Sequence, residues 1–545
     1  MKKTLLFGLV LIINGWGNIK ANNVQVSNVA LSSTGVVSFD VSWENSWRTN
    51  TTLTTPNNHD GVWVFIKWRY CIDRPASQGG ATSSVPGFRH AFLDTVATNH
   101  TAPAGAGLEI GKSFTQLTPT PSNRGMGVFI YRNAGNMGIG NVNFTNVALQ
   151  WDTTGVSPSS GVDIKVFAIE MVYIPQGSFY VGDGRPNNQA KMLSAQNTVT
   201  PPNVPFQVTS EAPIPIATPG GLYVNSTLGN TSSTPVGANF PKGFDAFWIM
   251  KYEVSQNQYV DYLNCLDRNE QDARTNSNFI QTSTSRPFKF IHNLTFITNR
   301  FVIKAPATFP AFEPIIFGVD ANDNEVFNEA SDGGYSAVSF INAEDILFYI
   351  DWVGLRPMSE MEYEKAARGP LVPIPFEYAW GNTTITPQVG FTNPFQANEL
   401  TIPSGDGPCV VADWVSSPTI GLTRVGARQF PLATRVQAGA SYYGVADLSG
   451  NVSEFVMPLA TNARANFSRF VHGDGEIITP HNAPPSLNWL FFHPAFNSRG
   501  GHFSDTYNAG IPAYINATIS NQNNGLTTTT RQWGHGIRAV RTSLP

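Results

Sequence analysis

The sequence contains few charged residues, few cysteines and no long apolar segment beyond its first 21 residues. Asp, Glu, Lys and Arg make up 13% of the chain, roughly half of their usual share in globular proteins. The formal net charge is −4 over 545 residues, so the chain lacks the basic surface that nucleic-acid binding requires. We therefore expect no nucleic acid among its partners.

The start of the chain has the pattern of a secretory signal. Lys2 and Lys3 precede an apolar run at residues 5–13, and Ile19-Lys20-Ala21 suits cleavage by a signal peptidase. No later segment approaches the roughly 20 uninterrupted apolar residues that a membrane helix needs. We predict that residues 1–21 are removed and that the protein, without a membrane span, is periplasmic, secreted or attached to the cell surface.

Three cysteines are present, Cys71, Cys265 and Cys409. An odd number in an exported chain allows at most one disulfide and leaves at least one free thiol. The sequence favours buried free thiols for all three, and it does not say which two would pair.

Residues 22–165 are predicted to form a β-sandwich. Apolar residues alternate at 37–43 and again at 147–151, as in half-buried strands, and aromatic and β-branched residues fill 61–70 and 127–132. Two interpretations are open for the tryptophans of this region: they stack on sugars, or they fill the core, which we favour. These tryptophans are Trp43, Trp47, Trp63 and Trp68.

The pattern changes at residue 166, where we place the start of a second domain, residues 166–545. Helices are predicted at 253–263 and 343–352. A third has a clear start signal, since Ser359 and Glu362 have the spacing of a capping box. Polar inserts near 183–235 and 267–285 are predicted to be excursions on the surface.

The densest polar motif lies at residues 444–456, which we call the signature loop. Asp447, Asn451 and Glu454 alternate there with apolar residues around a Ser-Gly turn. Amide and carboxylate oxygens are ligands that Ca²⁺ prefers. The alternative is a polar turn whose side chains satisfy its own backbone.

The signature loop and six other motifs, in the same order, resemble the formylglycine-generating, sulfatase-modifying factor family. The resemblance implies an α+β domain related to the C-type lectin fold, rich in loops, with structural Ca²⁺. The other motifs are residues 171–179 (MVYIPQGSF), 247–255 (FWIMKYEVS), 354–369 (GLRPMSEMEYEKAARG), 378–382 (YAWGN), 499–501 (RGG) and 536–538 (GIR).

The resemblance also implies where calcium would bind. The family's Gly-Asn-x-x-Glu arrangement is present as Gly450-Asn451-Val452-Ser453-Glu454, so we predict Asn451, Val452 and Glu454 as calcium ligands. Two tryptophans that are usual in this motif are replaced by Ser453 and Phe455. This puts a family-specific aromatic surface there in doubt.

The family's catalytic residues are not all present. In its catalytic members, two cysteines shortly after the Gly-Gly of the C-terminal motif hold copper and oxidise a cysteine of a sulfatase. Soft thiolates select Cu(I) and exchange with a substrate thiol, but residues 500–510 contain no cysteine. We therefore expect no copper and assign no catalytic residue.

A redox metal held by histidines is the competing hypothesis. A second branch that resembles this family holds iron with three histidines, and that site depends on a helical domain ahead of the shared fold, whereas residues 22–165 have the pattern of strands. A non-haem iron site would draw on His472, Asp474, His493 or His502, with scattered loop histidines as the simpler interpretation.

Non-catalytic binding is the function that we predict from the sequence. We expect an exported protein that binds a protein or glycan ligand or forms a structural part of the bacterial envelope. The alternative is a formylglycine-generating or other metal-dependent oxidoreductase, using non-haem iron or copper. The Asn-, Thr- and Ser-rich run at residues 502–531 suits a recognition surface and equally an ordinary loop.

Overall fold

The protein is rich in short strands and has few helices in the part of the chain that the computed structural model describes. That part comprises residues 23–49, 57–78, 80, 85–114, 121–156, 161–185, 192–194, 204–224, 233–275, 300–309, 313–403, 421–429, 433–476, 489, 496–503, 519–520, 523–526 and 531–543. The predicted signal at 1–21 lies outside it.

The helices and most of the strands are short, whereas β2, β3, β6, β7 and β8 are long strands of 12 or 13 residues. The strands are β1 Gln25–Leu31, β2 Val36–Arg48, β3 His59–Tyr70, β4 Arg89–His90, β5 Ala106–Phe114, β6 Pro121–Arg132, β7 Gly138–Gln150, β8 Val162–Ile174, β9 Phe179–Val181, β10 Met192–Ser194, β11 Phe206–Val208, β12 Leu222–Val224, β13 Phe247–Met250, β14 Ile303–Lys304, β15 Gly318–Val319, β16 Arg356–Pro357, β17 Gln388–Thr392, β18 Leu400–Pro403, β19 Ser453–Val456, β20 Phe496–Arg499, β21 Asn523–Leu526, β22 His535–Gly536 and β23 Ala539–Thr542. The α-helices are α1 Gln256–Leu263, α2 Arg268–Arg274, α3 Ala343–Trp352, α4 Glu360–Arg368 and α5 Thr461–Asn466, and 3-10 turns lie at Cys71–Asp73, Ala76–Gln78 and Ala97–Asn99.

One sheet of eleven strands joins the N-terminal region to the rest of the protein. Its main path runs β1-β2-β3-β8-β13-β23-β16. Strand β8 pairs antiparallel with β3 along almost its whole length, and its last four residues also pair with β13 on the other edge. The predicted boundary between residues 165 and 166 therefore falls inside a strand that both regions share.

The two faces of β8 supply different parts of the core, because successive side chains of a strand point to opposite faces. Val166 and Ala168 pack in the N-terminal core cluster. Phe167 and Ile169 pack in the largest cluster, which extends through the C-terminal region. Strand β3 behaves in the same way, so the sheet has buried side chains on both faces.

The N-terminal strands form two groups around one core. Strands β1, β2 and β7 make one group, β3–β6 and β8 make the other, and a single pair, Arg48 with His59, joins β2 to β3. Trp43, Trp63 and Trp68 are buried, which confirms the core interpretation for these three. A separate β-sandwich domain stays a prediction, since β3 buries Trp63 against the C-terminal region.

The helices agree closely with the sequence predictions. Helix α3 has the predicted bounds, and Ser359 and Glu362 form the predicted capping box at the start of α4. Helix α1 begins three residues later than predicted because Ser255 caps it, with Gln258 completing a second capping box.

The predicted inserts are only partly surface excursions. In the first, Val208, Ile214 and Leu222 are buried in the largest core cluster. In the second, residues 268–274 form α2 with Asp267 as its N-cap, and residues 276–285 lie outside the described residues.

Cys265 is a buried free thiol, as predicted, whereas Cys71 is a free thiol that is only partly buried. Cys409 lies outside the described residues. Among the helices that the structure describes, none is long and apolar enough to cross a membrane.

A buried lysine links the two regions. Lys251, which follows β13, places its ammonium 3.0 Å from Asp60 of β3 and 3.0 Å from Glu170 of β8, and all three side chains are fully buried. The Asp60 carboxylate also accepts hydrogen bonds from the Ser46 hydroxyl and the Trp43 indole. Charges removed from water in this way are tolerated only when they are paired.

We predict that Lys251→Met lowers the free energy of unfolding by about 3–5 kcal/mol, because two buried carboxylates would lose their cation. Urea denaturation followed by circular dichroism measures this. The matched control is Lys112→Met, for which we expect a change within about 0.5 kcal/mol because this lysine is partly exposed. Equal effects of the two substitutions would contradict the role of Lys251.

Candidate functional site

The signature loop is buried and closely packed. Its backbone turns through left-handed conformations at Asp447 (φ 57°), Gly450 (φ 101°) and Asn451 (φ 59°). Gly444 (φ 91°) leaves no room for a side chain, because a Cβ atom there would lie 2.7 Å from the Trp47 ring of the N-terminal region. The loop thus depends on both regions for its shape.

Asn451 is held by backbone and side-chain partners. Its Oδ1 accepts a hydrogen bond from the Thr423 amide at 2.9 Å, and its Nδ2 donates to Glu253. The second oxygen of Glu253 accepts from the Val452 amide at 3.1 Å. The Asn451 carbonyl accepts from the Phe503 amide at 2.8 Å.

Glu454 lies on β19, an inner strand of a four-stranded sheet with the order β21-β20-β19-β22, and pairs with an arginine. Arg538 Nε donates to Glu454 Oε1 at 3.0 Å, while its Nη atoms donate to the carbonyls of Met250 and Ala446, both at 2.8 Å. Glu454 Oε2 is buried and has no hydrogen-bond partner. Gly500 allows this packing, since a Cβ atom there would lie 2.5 Å from that oxygen.

Three buried carboxyl groups meet around this arginine. Burial raises the pKa of Glu253 well above its usual range, and the charges of Asp447 and Glu454 raise it further. Burial raises the pKa of Glu454 to about 8 against the opposing effect of Arg538. The pKa of Asp447 is also raised by burial, with the Gly426 amide opposing. We infer that this acidic cluster retains a proton at neutral pH.

Two of the predicted calcium ligands, Asn451 and Glu454, have protein partners in this arrangement. The Asn451 amide oxygen faces Thr423, and the paired Glu454 oxygen faces Arg538. Within the described ranges, no three His, Cys, Asp or Glu side chains are placed to hold a metal ion. Calcium at Asn451, Val452 and Glu454 stays a prediction, and the observed contacts are those of a polar core.

The predicted histidine site is not assembled among the described residues. His472 is buried beside β23, where its Nε2 accepts from the Thr542 amide at 3.1 Å. Burial, followed by the charges of Arg541 and Arg356, lowers its pKa well below the usual value. The Asp474 amide donates to Asp351 at 3.2 Å. His493 lies outside the described residues.

His502 lies elsewhere, next to Phe503, whose amide donates to the Asn451 carbonyl in the signature loop. Its ring meets that of Trp533 edge to face at 4.9 Å, and both residues are partly exposed. Phe503 packs beneath, with its ring 5.6 Å from that of Trp533. The pKa of His535 is lowered to about 4, first by burial and then by the charge of the nearby His502 imidazole.

A second buried ion-pair network surrounds α4. Arg499 donates to Glu360 and Glu364, both at 3.2 Å, and Arg368 donates to Glu364 at 2.9 Å and to Glu377. All of these residues except Glu377 lie in motifs that were identified from the sequence, but the sequence did not show that they pair. Sequence reasoning likewise missed Glu253 and Arg538 as partners of the signature loop, although each lies in a motif identified from the sequence.

We predict that Arg538→Met destabilises the protein by about 3–5 kcal/mol, because the acidic cluster loses its cation. Thermal and urea unfolding measure the effect. Arg124→Met is the matched control, since Arg124 is exposed and stacks on Phe92. A loss no larger than that of the control would show that Arg538 does not stabilise the cluster.

For Glu454→Gln we predict a stability that depends on pH differently from that of the unmodified protein. The folded carboxyl has a pKa of about 8, and the unfolded one about 4.3. Between these two pH values the Glu454 carboxyl is protonated in the folded state and ionised in the unfolded state. The unmodified protein therefore loses stability as the pH rises. Relative to the unmodified protein, the free energy of unfolding of the variant should therefore increase by up to about 1.4 kcal/mol for each unit of rising pH.

Urea unfolding at pH 5, 6.5 and 8 measures this difference, with Glu325→Gln as the control at an exposed carboxylate. A constant difference over this range would contradict the raised pKa.

Comparison with known proteins agrees with the motifs and their positions. The model of the sulfatase-modifying factor enzyme 1-like domain matches residues 162–543, which is more than half of the chain and begins at the first residue of β8. A search of curated proteins gave no match. The family match confirms the resemblance that the seven motifs indicated, and the chain belongs to the formylglycine-generating, sulfatase-modifying factor family.

Proposed function

We propose that this chain is an exported, non-catalytic member of its family that binds a protein or glycan ligand or forms a structural part of the bacterial envelope. The observation that carries the proposal is the eleven-stranded sheet, which joins the N-terminal strands β1–β7 to the part of the chain that matches the family model, residues 162–543. We call this part the family domain. A domain fixed in this way suits a rigid scaffold or binding unit.

The chemistry of the thiols supports a non-catalytic role. The stretch at residues 500–510 contains no cysteine. Burial raises the pKa of the Cys71 and Cys265 thiols, so neither is poised as a thiolate. Metal binding and thiol exchange both require the thiolate.

The surface formed by His502 and Trp533 is the best candidate for ligand contact. Two contacts fix the backbone at Trp533. Its carbonyl accepts a hydrogen bond from the Ser339 hydroxyl, and the preceding residue, Gln532, forms an isolated β-bridge with Ile341. A partly exposed aromatic ring on a fixed backbone contributes contact area at low entropic cost. This arrangement supports stacking on a sugar or on a side chain of a protein partner.

We predict that the mature protein contains no stoichiometric copper or iron and leaves the cysteine of a sulfatase peptide unmodified. Elemental analysis of the purified protein and mass spectrometry of the peptide measure these outcomes. Stoichiometric iron or copper, or conversion of the cysteine to formylglycine, would favour the alternative of a metal-dependent oxidoreductase.

Calcium needs its own test. The contacts of Asn451 and Glu454 favour a polar core, so we expect Asn451→Ala and Glu454→Ala to lower the melting temperature equally in calcium and in chelator. If calcium raises the melting temperature of the unmodified protein and the two variants lose that rise, these residues bind calcium as the sequence predicted.

A further inference from the structure

A cavity lies between the N-terminal strands and the family domain, away from the signature loop. It has a volume of about 200 Å³, and residues from both regions line it. Arg69 and Phe88 come from the N-terminal side, Lys165 from β8, and Leu266 and Ile316 from the family domain. Phe88 is held in place because its amide donates to the Cys265 carbonyl at 2.7 Å.

Two cations share the Phe88 ring in this cavity. The Arg69 guanidinium lies 4.5 Å from the ring centre, and the Lys165 ammonium lies 4.6 Å from it. A ring between two cations lets both lie against an apolar wall while their polar hydrogens remain available.

The charges in the cavity are not balanced by its carboxylates. Arg69 and Arg74 share one carboxylate, Asp163, which lies 3.3 Å from Arg69 Nε. One Nη atom of Arg69 also donates to Gln78 Oε1 at 3.2 Å, and this contact brings no negative charge. Lys165 makes only long contacts, 3.5 Å to the Asn264 carbonyl and 3.6 Å to the Cys265 sulfur. Among the described residues, no carboxylate forms an ion pair with its ammonium. The carboxyl group that interacts with Lys165 electrostatically is Asp261, and it offsets this charge only in part, because burial raises its pKa to about 7. An anion is therefore the complementary ligand.

The rest of the lining is mostly apolar, and its polar members are Gln78 and Asn264. Leu266 is buried, Ile316 is 53% exposed, and three prolines, Pro75, Pro86 and Pro314, complete the wall. The volume is below the roughly 300–1,000 Å³ that is usual for pockets of drug-sized ligands. The ligand must combine an anionic group with a short apolar body.

We propose that this cavity binds a small carboxylate with a short aliphatic chain, whose carboxylate pairs with Lys165 and Arg69 and whose chain packs on Leu266 and Ile316. Charge complementarity selects the anion, and the small volume favours a free molecule over a polypeptide. The site goes beyond the proposed function, since it does not involve the surface of His502 and Trp533.

Isothermal titration calorimetry of the mature protein with hexanoate, hexanol and hexylammonium tests the site. We expect hexanoate to bind with a submillimolar Kd and the other two at least about tenfold more weakly, because only the carboxylate adds a negative charge to the hydrogen bonds that it accepts from Lys165 and Arg69. Comparable binding of hexanol, or no binding of hexanoate, would overturn the proposal.

Variants place the binding in this cavity. Lys165→Met should weaken hexanoate binding by about tenfold or more, and Lys165→Arg should restore most of the affinity. Arg89→Met is the matched control, because Arg89 is exposed and lies over Trp68 rather than in the cavity. Unfolding curves of each variant confirm that it is folded.

Titration with a peptide tests whether the carboxylate that binds comes from a small molecule or from the C-terminus of a polypeptide. A pentapeptide that ends in leucine with a free carboxylate should bind more weakly than hexanoate. If the peptide binds and its C-terminal amide and hexanoate do not, the cavity recognises a chain terminus and the small-molecule assignment is wrong. Loss of hexanoate binding in the Arg89 variant would also overturn the assignment to this cavity.

Discussion

Strand β8 is the element on which the rest of the structure depends. It pairs with β3 on one edge and with β13 on the other, and its side chains enter all three core clusters. The carboxyl group of Glu170 is buried in this strand and pairs with the Lys251 ammonium, and a buried ionisable group needs such a partner. The N-terminal strands and the family domain therefore share backbone hydrogen bonds, apolar packing and a buried ion pair.

The polar residues of the family motifs serve mainly to hold the loops together. A domain with long loops has many backbone groups that helices and strands do not satisfy, and buried polar groups need partners. Asn451, Glu253 and Arg538 supply such partners for the signature loop. The motif pattern can persist for this structural reason alone.

Local elements could be predicted from the sequence because their signals are local. The capping box of Ser359 and Glu362, the apolar period of α3 and the alternation in β2 each involve residues within a few positions of one another. The merger of the two regions could not be predicted in this way. It depends on β8 pairing with β3, which lies about a hundred residues earlier.

The candidate site shows the same division. The sequence identified Asn451 and Glu454 as members of a polar motif, and ordered motifs identified the family. Their partners Glu253, Thr423 and Arg538 come from distant segments. Oxygen-rich composition alone suits a cation and a hydrogen-bond network equally well, because both use the same side-chain atoms.

The sequence by itself determined the family, the helices with their caps and the absence of cysteine after Gly501, since these are properties of residue identity and short-range order. Only the tertiary structure decided that the two regions share one sheet and that Asn451 and Glu454 face protein partners. It also placed Arg69 and Lys165 on one aromatic ring. The physical reason is that pairing across strands and partners for buried charges are set by packing between segments far apart in the chain.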